Sequence, residues 1–132
     1  MIVYGSVWDE ADKEARRIVS ESSTSVYIPP FDHELVWRGN SFMIDELEEQ
    51  FKEFGNEFKE ANDTSMIPDC IVASVGGGGL MIGLIEGIER RGWFEKKKNL
   101  KLIAVETDGA NCFNESVKQN KIVELDAITS IA

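Results

Sequence analysis

The run Ser74-Val75-Gly76-Gly77-Gly78-Gly79-Leu80 decides how the rest of the chain is interpreted. Its four consecutive glycines lie between an apolar run, Cys70 to Val75, and a second apolar segment, Leu80 to Ile88, that has the character of a helix. A strand that ends in glycines and continues directly into a helix presents bare backbone N–H groups at the positive end of the helix dipole, which suits a phosphate. Glycine also leaves room for the anion and adopts positive φ without penalty. The sequence therefore predicts a phosphate site.

Three other interpretations of the glycine run are weaker. A flexible linker is the main alternative, but linkers are usually polar, and this run has strongly apolar segments within one residue on both sides. A Walker A loop needs Gly-Lys-Ser/Thr, and here Leu80-Met81 follows the glycines. A dinucleotide-binding G-x-G-x-x-G motif fails because its third glycine would fall on Met81 or Ile82. The loop is typical of a site for one phosphate without a metal.

The composition limits the possible classes of partner. A chain of 132 residues makes one small domain or part of a larger one, and its net charge of −10 argues against nucleic acid and anionic membranes. The two cysteines are too few for a disulfide scaffold, so both are expected to be reduced. No apolar run approaches the roughly 20 residues of a membrane span, and no signal peptide is recognised at the start. We therefore expect a soluble, cytoplasmic protein.

Hydrophobic periodicity outlines an α/β fold. The first half predicts a strand at Ile2–Tyr4, an amphipathic helix beginning near Trp8 and a strand at Val26–Ile28, which together resemble a parallel crossover unit. A long helix capped by Asn40 or Ser41 is expected next. Its predicted apolar stripe consists of Met43, Ile44, Leu47, Phe51, Phe54 and Phe58.

The second half predicts another crossover unit around the glycine loop. The apolar runs Cys70–Val75 and Leu100–Val105 are typical of parallel strands that are covered on both faces. Gly83 and Gly87 lie on one face of the intervening helix, where they would allow a neighbouring backbone to approach closely. A short helix over residues 111–119 and a strand at Ile122–Leu125 complete the prediction.

Two charged positions outside the loop are functional candidates. His33 is the only histidine, and it lies beside Asp32 and Glu34; without a second histidine or a ligand at helical spacing, a metal role is disfavoured. Glu106 closes the last buried strand, where ligands bind in open parallel sheets. From spacing alone, Glu106 is equally a functional residue or a solvated strand end.

Several short motifs occur in a fixed order along the chain: Pro29-Pro30-Phe31-Asp32-His33, Trp37-x-Gly39, the glycine run, Val105-Glu106-Thr107-x-Gly109-Ala110-x-x-Phe113 and Ile128-Thr129-Ser130-Ile131-Ala132. Their order resembles that in the L-serine/L-threonine dehydratases, and most closely that in the eukaryotic serine dehydratase branch. These are pyridoxal-phosphate enzymes of the tryptophan-synthase β-like fold, fold type II. The resemblance implies part of a three-layer parallel sheet with flanking helices, and it identifies the chain as an internal fragment. Residues 1–30 match the end of the small mobile domain, and residues 31–132 match part of the large cofactor domain.

The resemblance also implies roles for individual residues. The family's glycine loop holds the cofactor's phosphate, and this role carries over to Gly76, Gly77, Gly78 and Gly79, with Leu80 contributing its backbone N–H. The family's cation site, for a monovalent ion such as K⁺ or a divalent ion, carries over to the Glu106 side chain and the Ala110 carbonyl. Cys112 falls where related enzymes supply a third ligand.

The implied activity of the full family is β-elimination of L-serine or L-threonine to pyruvate or 2-oxobutanoate and ammonia, with a homodimer expected for the full-length enzyme. The family needs a Schiff-base lysine in a Ser-x-Lys motif near the N-terminus, followed closely by a substrate-carboxylate loop, and the chain does not open in this way. We therefore expect no catalytic residue here and no activity of the chain alone. The alternatives are a serine racemase-like pyridoxal-phosphate enzyme and a non-catalytic phosphate- or nucleotide-binding fragment.

Overall fold

Five helices and two parallel strands make up the part of the chain that the computed structural model describes, residues 1–55 and 67–131. The elements are α1 (Trp8–Ser20), α2 (Glu34–Gly55), β1 (Cys70–Ser74), α3 (Gly79–Arg90), α4 (Trp93–Lys96), β2 (Lys101–Val105) and α5 (Cys112–Gln119). They fall into two compact units, one formed by Met1–Pro29 with Thr107–Ala132 and the other by Pro30–Glu106. The mixture of helices with a small parallel sheet confirms the α/β class, here as a partial α/β fold.

The second unit is built on the packing of α2 against α3. A Cβ added to Gly83 would lie 2.6 Å from the Trp37 carbonyl oxygen, and one added to Gly87 would lie 2.5 Å from the Ser41 carbonyl oxygen. The two helix backbones therefore meet at these glycines, as their four-residue spacing predicts. Ile44 and Ile88 are fully buried beside this contact.

The sheet consists of β1 and β2 in parallel register, with Cys70 opposite Lys101 and Ser74 opposite Val105. Because the strands are parallel, their carboxyl ends share one edge, and the glycine loop and Glu106 both begin there. The connection between the strands runs through α3 and α4, which confirms the second predicted crossover unit.

The prediction that both strands are covered on both faces is wrong for this chain. Paired residues of a parallel ladder point to the same side, so Val72 and its partner Ile103 share a face, and they are 63% and 44% exposed. The opposite face carries Ala73, which is 8% exposed and belongs to the core cluster with Leu84 of α3. The helix α3 covers that side of β1, whereas Val72 and Ser74 remain exposed. In β2 every residue except Leu102 is exposed.

The first predicted crossover unit is not observed. Its helix is confirmed as α1, whose charged face forms ion pairs such as Arg16 with Asp12 at 2.7 Å. Ile2–Tyr4, Val26–Ile28 and Ile122–Leu125 form no strands in the residues that the structure describes. Apolar, β-branched sequence indicates only a propensity, and a strand also needs a neighbouring backbone to bond its N–H and C=O groups.

The start of α2 differs from the prediction, because Asn40 and Ser41 lie inside the helix. His33 caps it: its Nδ1 accepts a hydrogen bond from Leu35 N at 3.1 Å, and its carbonyl accepts one from Trp37 N at 3.1 Å. The inward face passes through Ser41, which is fully buried yet polar, so hydrophobic periodicity did not reveal it.

The predicted apolar stripe of α2 is only partly correct. Ile44 is in the core and Leu47 packs against it, whereas Met43 and Phe54 are exposed and Phe51 is half-buried. Phe58 lies outside the described residues. Among the helices described, none combines the length and the apolar character needed to cross a membrane.

Candidate functional site

The glycine loop leads directly from β1 into α3 at the carboxyl edge of the sheet. Gly78 is the N-cap residue of α3 and has φ 86° and ψ −13°, a left-handed conformation that glycine adopts without steric strain. The Gly78 carbonyl accepts a hydrogen bond from Ile82 N at 2.9 Å. The N–H groups of Gly79, Leu80 and Met81 lie in the first helical turn, before any helical acceptor is available. The loop thus ends in a set of backbone donors.

The four glycines of the loop are not equivalent. A Cβ on Gly76 or Gly78 would meet no heavy atom within 4 Å in the described part of the chain. A Cβ on Gly77 would overlap the Phe31 ring, and one on Gly79 would lie 2.7 Å from the Phe31 carbonyl oxygen. Two glycines therefore face open space and two are packed against the protein.

The electrostatics of the loop favour an anion. The 12-residue helix α3 has no acidic residue in its first turn and no side-chain hydrogen bond at its N-cap. Its dipole places partial positive charge at the loop, because its peptide groups are aligned. A phosphate would be attracted by this charge and would accept hydrogen bonds from the backbone N–H groups.

Phe31 is the residue of this region whose role sequence reasoning missed. It belongs to one of the family-like motifs, but no pattern in the sequence links residue 31 to residues 77 and 79. The link arises from the close packing of α2 on α3, which brings the segment before α2 under the loop. The signals in the sequence are this motif and the position of Phe31 two residues before the α2 cap, His33.

The three residues of the predicted cation site are distributed over both units. Glu106 is half-buried and follows β2 in the unit Pro30–Glu106. Ala110 and Cys112 belong to the other unit, where Ala110 N donates to the Thr107 carbonyl at 3.0 Å and Cys112 begins α5 as a half-buried free thiol. Gly109 has φ 81° in this turn, the positive value that the third residue of a type II turn requires.

No group of three His, Cys, Asp or Glu side chains that could hold a metal occurs within residues 1–55 and 67–131. The predicted cation set contains only two such side chains, since its third member is the Ala110 carbonyl. His33 caps α2, as described above, which gives it a structural role.

One Ser-x-Lys triad, Ser116-Val117-Lys118, is present in the sequence, and the structure places it within α5. The Lys118 amine is 2.9 Å from Oε1 of Glu115, and its side chain is 61% exposed. The Ser116 hydroxyl donates to the Cys112 carbonyl at 2.6 Å. Both side chains thus have local partners on their own helix, in contrast to the expected motif near the N-terminus.

Comparison with known proteins identifies the relatives of this chain. A family profile described as "Pyridoxal-phosphate dependent enzyme" matches residues 1–132. The chain is 38% identical over 134 residues to an L-serine dehydratase from Dictyostelium discoideum, covering 99% of this chain and 35% of that protein. It is 40% identical over 138 residues to an L-serine dehydratase from Saccharomyces cerevisiae (strain AWRI1631), covering all of this chain and 38% of that protein.

A mammalian relative has a broader name. The chain is 38% identical over 130 residues to the L-serine dehydratase/L-threonine deaminase of Bos taurus, covering 98% of this chain and 35% of that protein. The chain therefore spans little more than a third of the length of these curated relatives.

Proposed function

The chain belongs to the family of pyridoxal-phosphate dependent enzymes, and from this premise we propose that the loop from Gly76 to Leu80 binds the phosphate of pyridoxal 5′-phosphate. The observation that carries the proposal is the open space beside Gly76 and Gly78, which any Cβ would enter. A phosphate held by backbone donors needs such bare positions, because a side chain would keep its oxygens out of hydrogen-bonding range.

The residues present fit a single phosphate. Gly76, Gly77, Gly78 and Gly79 form the loop, and the first turn of α3 adds the N–H of Leu80. These are neutral donors, so the charge that balances the phosphate is the partial positive charge of the helix N-terminus. A phosphate bound here needs no metal ion for charge compensation.

When bound, pyridoxal phosphate delocalises the negative charge that develops as a bond to the α-carbon of an amino acid breaks. The described residues of this chain would contribute to binding and orientation. The loop would anchor the cofactor at one end by its phosphate, which limits how far the rest of the molecule can move. Because the loop lies at the carboxyl edge of the sheet, the anchored group would lie where open parallel sheets bind their ligands.

We further propose that the chain is part of an ammonia-lyase that acts on L-serine and L-threonine. The names of the relatives support this substrate class. The reaction is β-elimination to pyruvate or 2-oxobutanoate and ammonia, with the Schiff-base lysine supplied from outside this chain. The chain alone would then be inactive, while the complete enzyme would be a cytoplasmic homodimer.

Two finer assignments belong to the same proposal. Residues 1–30 would be the end of a small mobile domain and residues 31–132 part of the large cofactor domain. Glu106, the Ala110 carbonyl and Cys112 would bind K⁺ or a divalent cation. Carboxylate and carbonyl oxygens suit such hard cations, and a thiolate would shift the preference towards a softer metal.

The phosphate loop can be tested by titrating inorganic phosphate, and separately pyridoxal phosphate, onto the 15N-labelled 132-residue chain. We expect shifts of the Gly76–Leu80 amide signals. Gly76→Ala should weaken phosphate binding at least about tenfold, equivalent to about 1.4 kcal/mol, and should leave the melting temperature unchanged. Gly39→Ala is the matched control, because a Cβ at Gly39 also meets open space but lies in α2.

Two outcomes would contradict the proposed loop function: phosphate shifts no amide of the wild-type loop, or Gly76→Ala binds phosphate as tightly as Gly39→Ala.

The lyase proposal is tested separately on the natural gene product. We expect a visible-range absorbance that borohydride abolishes, together with pyruvate formation from L-serine. A gene product that binds phosphate but shows neither the absorbance nor pyruvate formation would be a non-catalytic phosphate-binding protein.

A further inference from the structure

The packing of Phe31 under the glycine loop suggests how the loop keeps its shape. A run of four glycines has more backbone freedom than any other tetrapeptide, so a phosphate site made of it requires restraint from outside the loop. Among the described residues, the atoms nearest to a Cβ at Gly77 or Gly79 all belong to Phe31. The Phe31 ring lies against Gly77, and the Phe31 backbone lies against Gly79.

Phe31 is itself held in place by the start of α2. Its carbonyl accepts a hydrogen bond from Nε1 of Trp37 at 2.8 Å and another from the His33 N–H at 3.2 Å. The Trp37 carbonyl lies beneath Gly83, one of the two glycines at which α2 and α3 meet. A continuous set of contacts therefore runs from the helix pair through Trp37 and Phe31 to the loop.

The contacts alternate along the loop. Gly77 and Gly79 are packed on Phe31, whereas a Cβ on Gly76 or Gly78 would enter open space. With two alternate residues fixed from beneath, the peptide groups between them are held with one side towards the protein and the other towards the opening. The glycines at 77 and 79 are thus required by Phe31, and Gly78 is required by its φ of 86°. Gly76 faces open space.

We infer that Phe31, held by the Trp37 indole N–H, is a positioning residue that preorganises the glycine loop for phosphate. The inference rests on the proposed phosphate-binding function and adds the residues that set the loop's conformation. A preorganised loop binds more tightly, because less conformational freedom is lost when the ligand arrives. Phe31 itself need not touch the phosphate.

The test uses two variants of the whole chain and inorganic phosphate as the probe. Phe31→Ala removes the ring beneath Gly77, and Trp37→Phe keeps an aromatic ring but removes the N–H donor. We expect Phe31→Ala to weaken phosphate binding about tenfold and Trp37→Phe to weaken it less. Phe54→Leu is the control, since Phe54 lies on α2 and is 61% exposed.

Hydrogen exchange without ligand separates positioning from a general loss of stability. In both variants the Ile82 amide, which bonds the Gly78 carbonyl of the loop at 2.9 Å, should exchange faster by about tenfold, while amides in the middle of α3 exchange at the rate set by global unfolding. A double-mutant cycle provides a second test. Gly77→Ala should disturb the loop strongly in the wild type and much less together with Phe31→Ala, because the overlapping ring is then gone.

The outcomes distinguish this inference from the proposed function. If the wild type binds no phosphate but the variants loosen the loop, the proposed function fails and the positioning role stands. If the wild type binds phosphate, and both variants bind equally well with unchanged exchange of the Ile82 amide, the positioning role is refuted. Should Phe31→Ala fail to fold, the milder Trp37→Phe decides by the same two measurements.

Discussion

Substituting Gly87 by alanine tests the close contact between α2 and α3, on which the position of the glycine loop depends. The new Cβ would lie 2.5 Å from the Ser41 carbonyl oxygen and 2.6 Å from Cγ1 of Ile44. Both distances are well inside van der Waals contact, and the nearest atom belongs to the backbone. The helices would have to separate by roughly 1 Å, a gap that forfeits up to half of the attraction between the facing atoms.

The expected magnitude combines opposing effects. Replacing glycine by alanine in a helix interior raises the free energy of unfolding by about 1 kcal/mol. Overpacking at the helix contact lowers it by about 1–3 kcal/mol. Separating the helices also weakens the bonds of the Arg90 guanidinium to Ser41, at 2.7 Å to its hydroxyl and 3.2 Å to its carbonyl, and bonds from a charged group are worth about 1.5–3 kcal/mol. We expect Gly87→Ala to lower the free energy of unfolding by about 2 kcal/mol.

The assay is urea unfolding followed by far-ultraviolet circular dichroism, with thermal melting as a second measurement. For a chain of this size, 2 kcal/mol corresponds to a decrease of roughly 8 °C in melting temperature. Gly39→Ala is the matched control, because its Cβ meets open space within α2. It should stabilise the protein by up to about 1 kcal/mol. The reasoning is refuted if Gly87→Ala is as stable as the wild type or more stable.

Three further predictions concern single contacts. Burial raises the pKa of Asp45, but hydrogen bonds from Arg91 and Arg90 outweigh this effect and hold the pKa below 3.8. The ionised Asp45 therefore adds to the free energy of unfolding above pH 4, and this stabilisation is lost as the pH falls through the lowered pKa. Asp45→Asn should lower the free energy of unfolding by about 1 kcal/mol at pH 7, given the partial exposure of the arginines. Urea titrations should show this difference shrinking as the pH falls below 3.8, and a difference that does not shrink with falling pH would contradict this. Gly109→Ala should lower the free energy of unfolding by about 1–2 kcal/mol, because φ is 81° at this position. It should also speed hydrogen exchange of the Thr129 amide, which bonds the Gly109 carbonyl at 3.0 Å, and unchanged exchange would contradict this prediction. The hydrogen bond to Asp12 raises the pKa of Tyr27 above 10.0, so Asp12→Asn should lower it in an ultraviolet absorbance titration, and an unaltered titration would rule the bond out.

The glycine run was the most informative part of the sequence, and its local structure was predicted correctly. Strand, glycine turn and helix follow one another within 21 residues, from Cys70 to Arg90. Such local elements are determined by neighbouring residues, through the φ freedom of glycine and the periodicity of the apolar side chains. The same reasoning placed Gly83 and Gly87 at a close helix contact.

Predictions that depended on distant partners were less successful. The runs at residues 2–4, 26–28 and 122–125 have strand-like composition but form no strands in the described residues, because a strand is defined by the neighbour to which it bonds. The start of α2 was missed for another reason. Its cap is His33, which is not one of the usual cap residues. Its buried face includes the polar Ser41, which a pattern of hydrophobic residues does not indicate.

By itself, the sequence determined the family, the α/β class and the position of the glycine loop, because each depends on a local run of residues or on the order of short motifs. Only the tertiary structure decided which glycines of that loop are open and which are packed. That distinction depends on Phe31, which is brought beneath residues 77 and 79 by the packing of α2 on α3. Contacts between segments more than 40 residues apart follow from how the helices fit together in three dimensions, and no spacing along the chain encodes them.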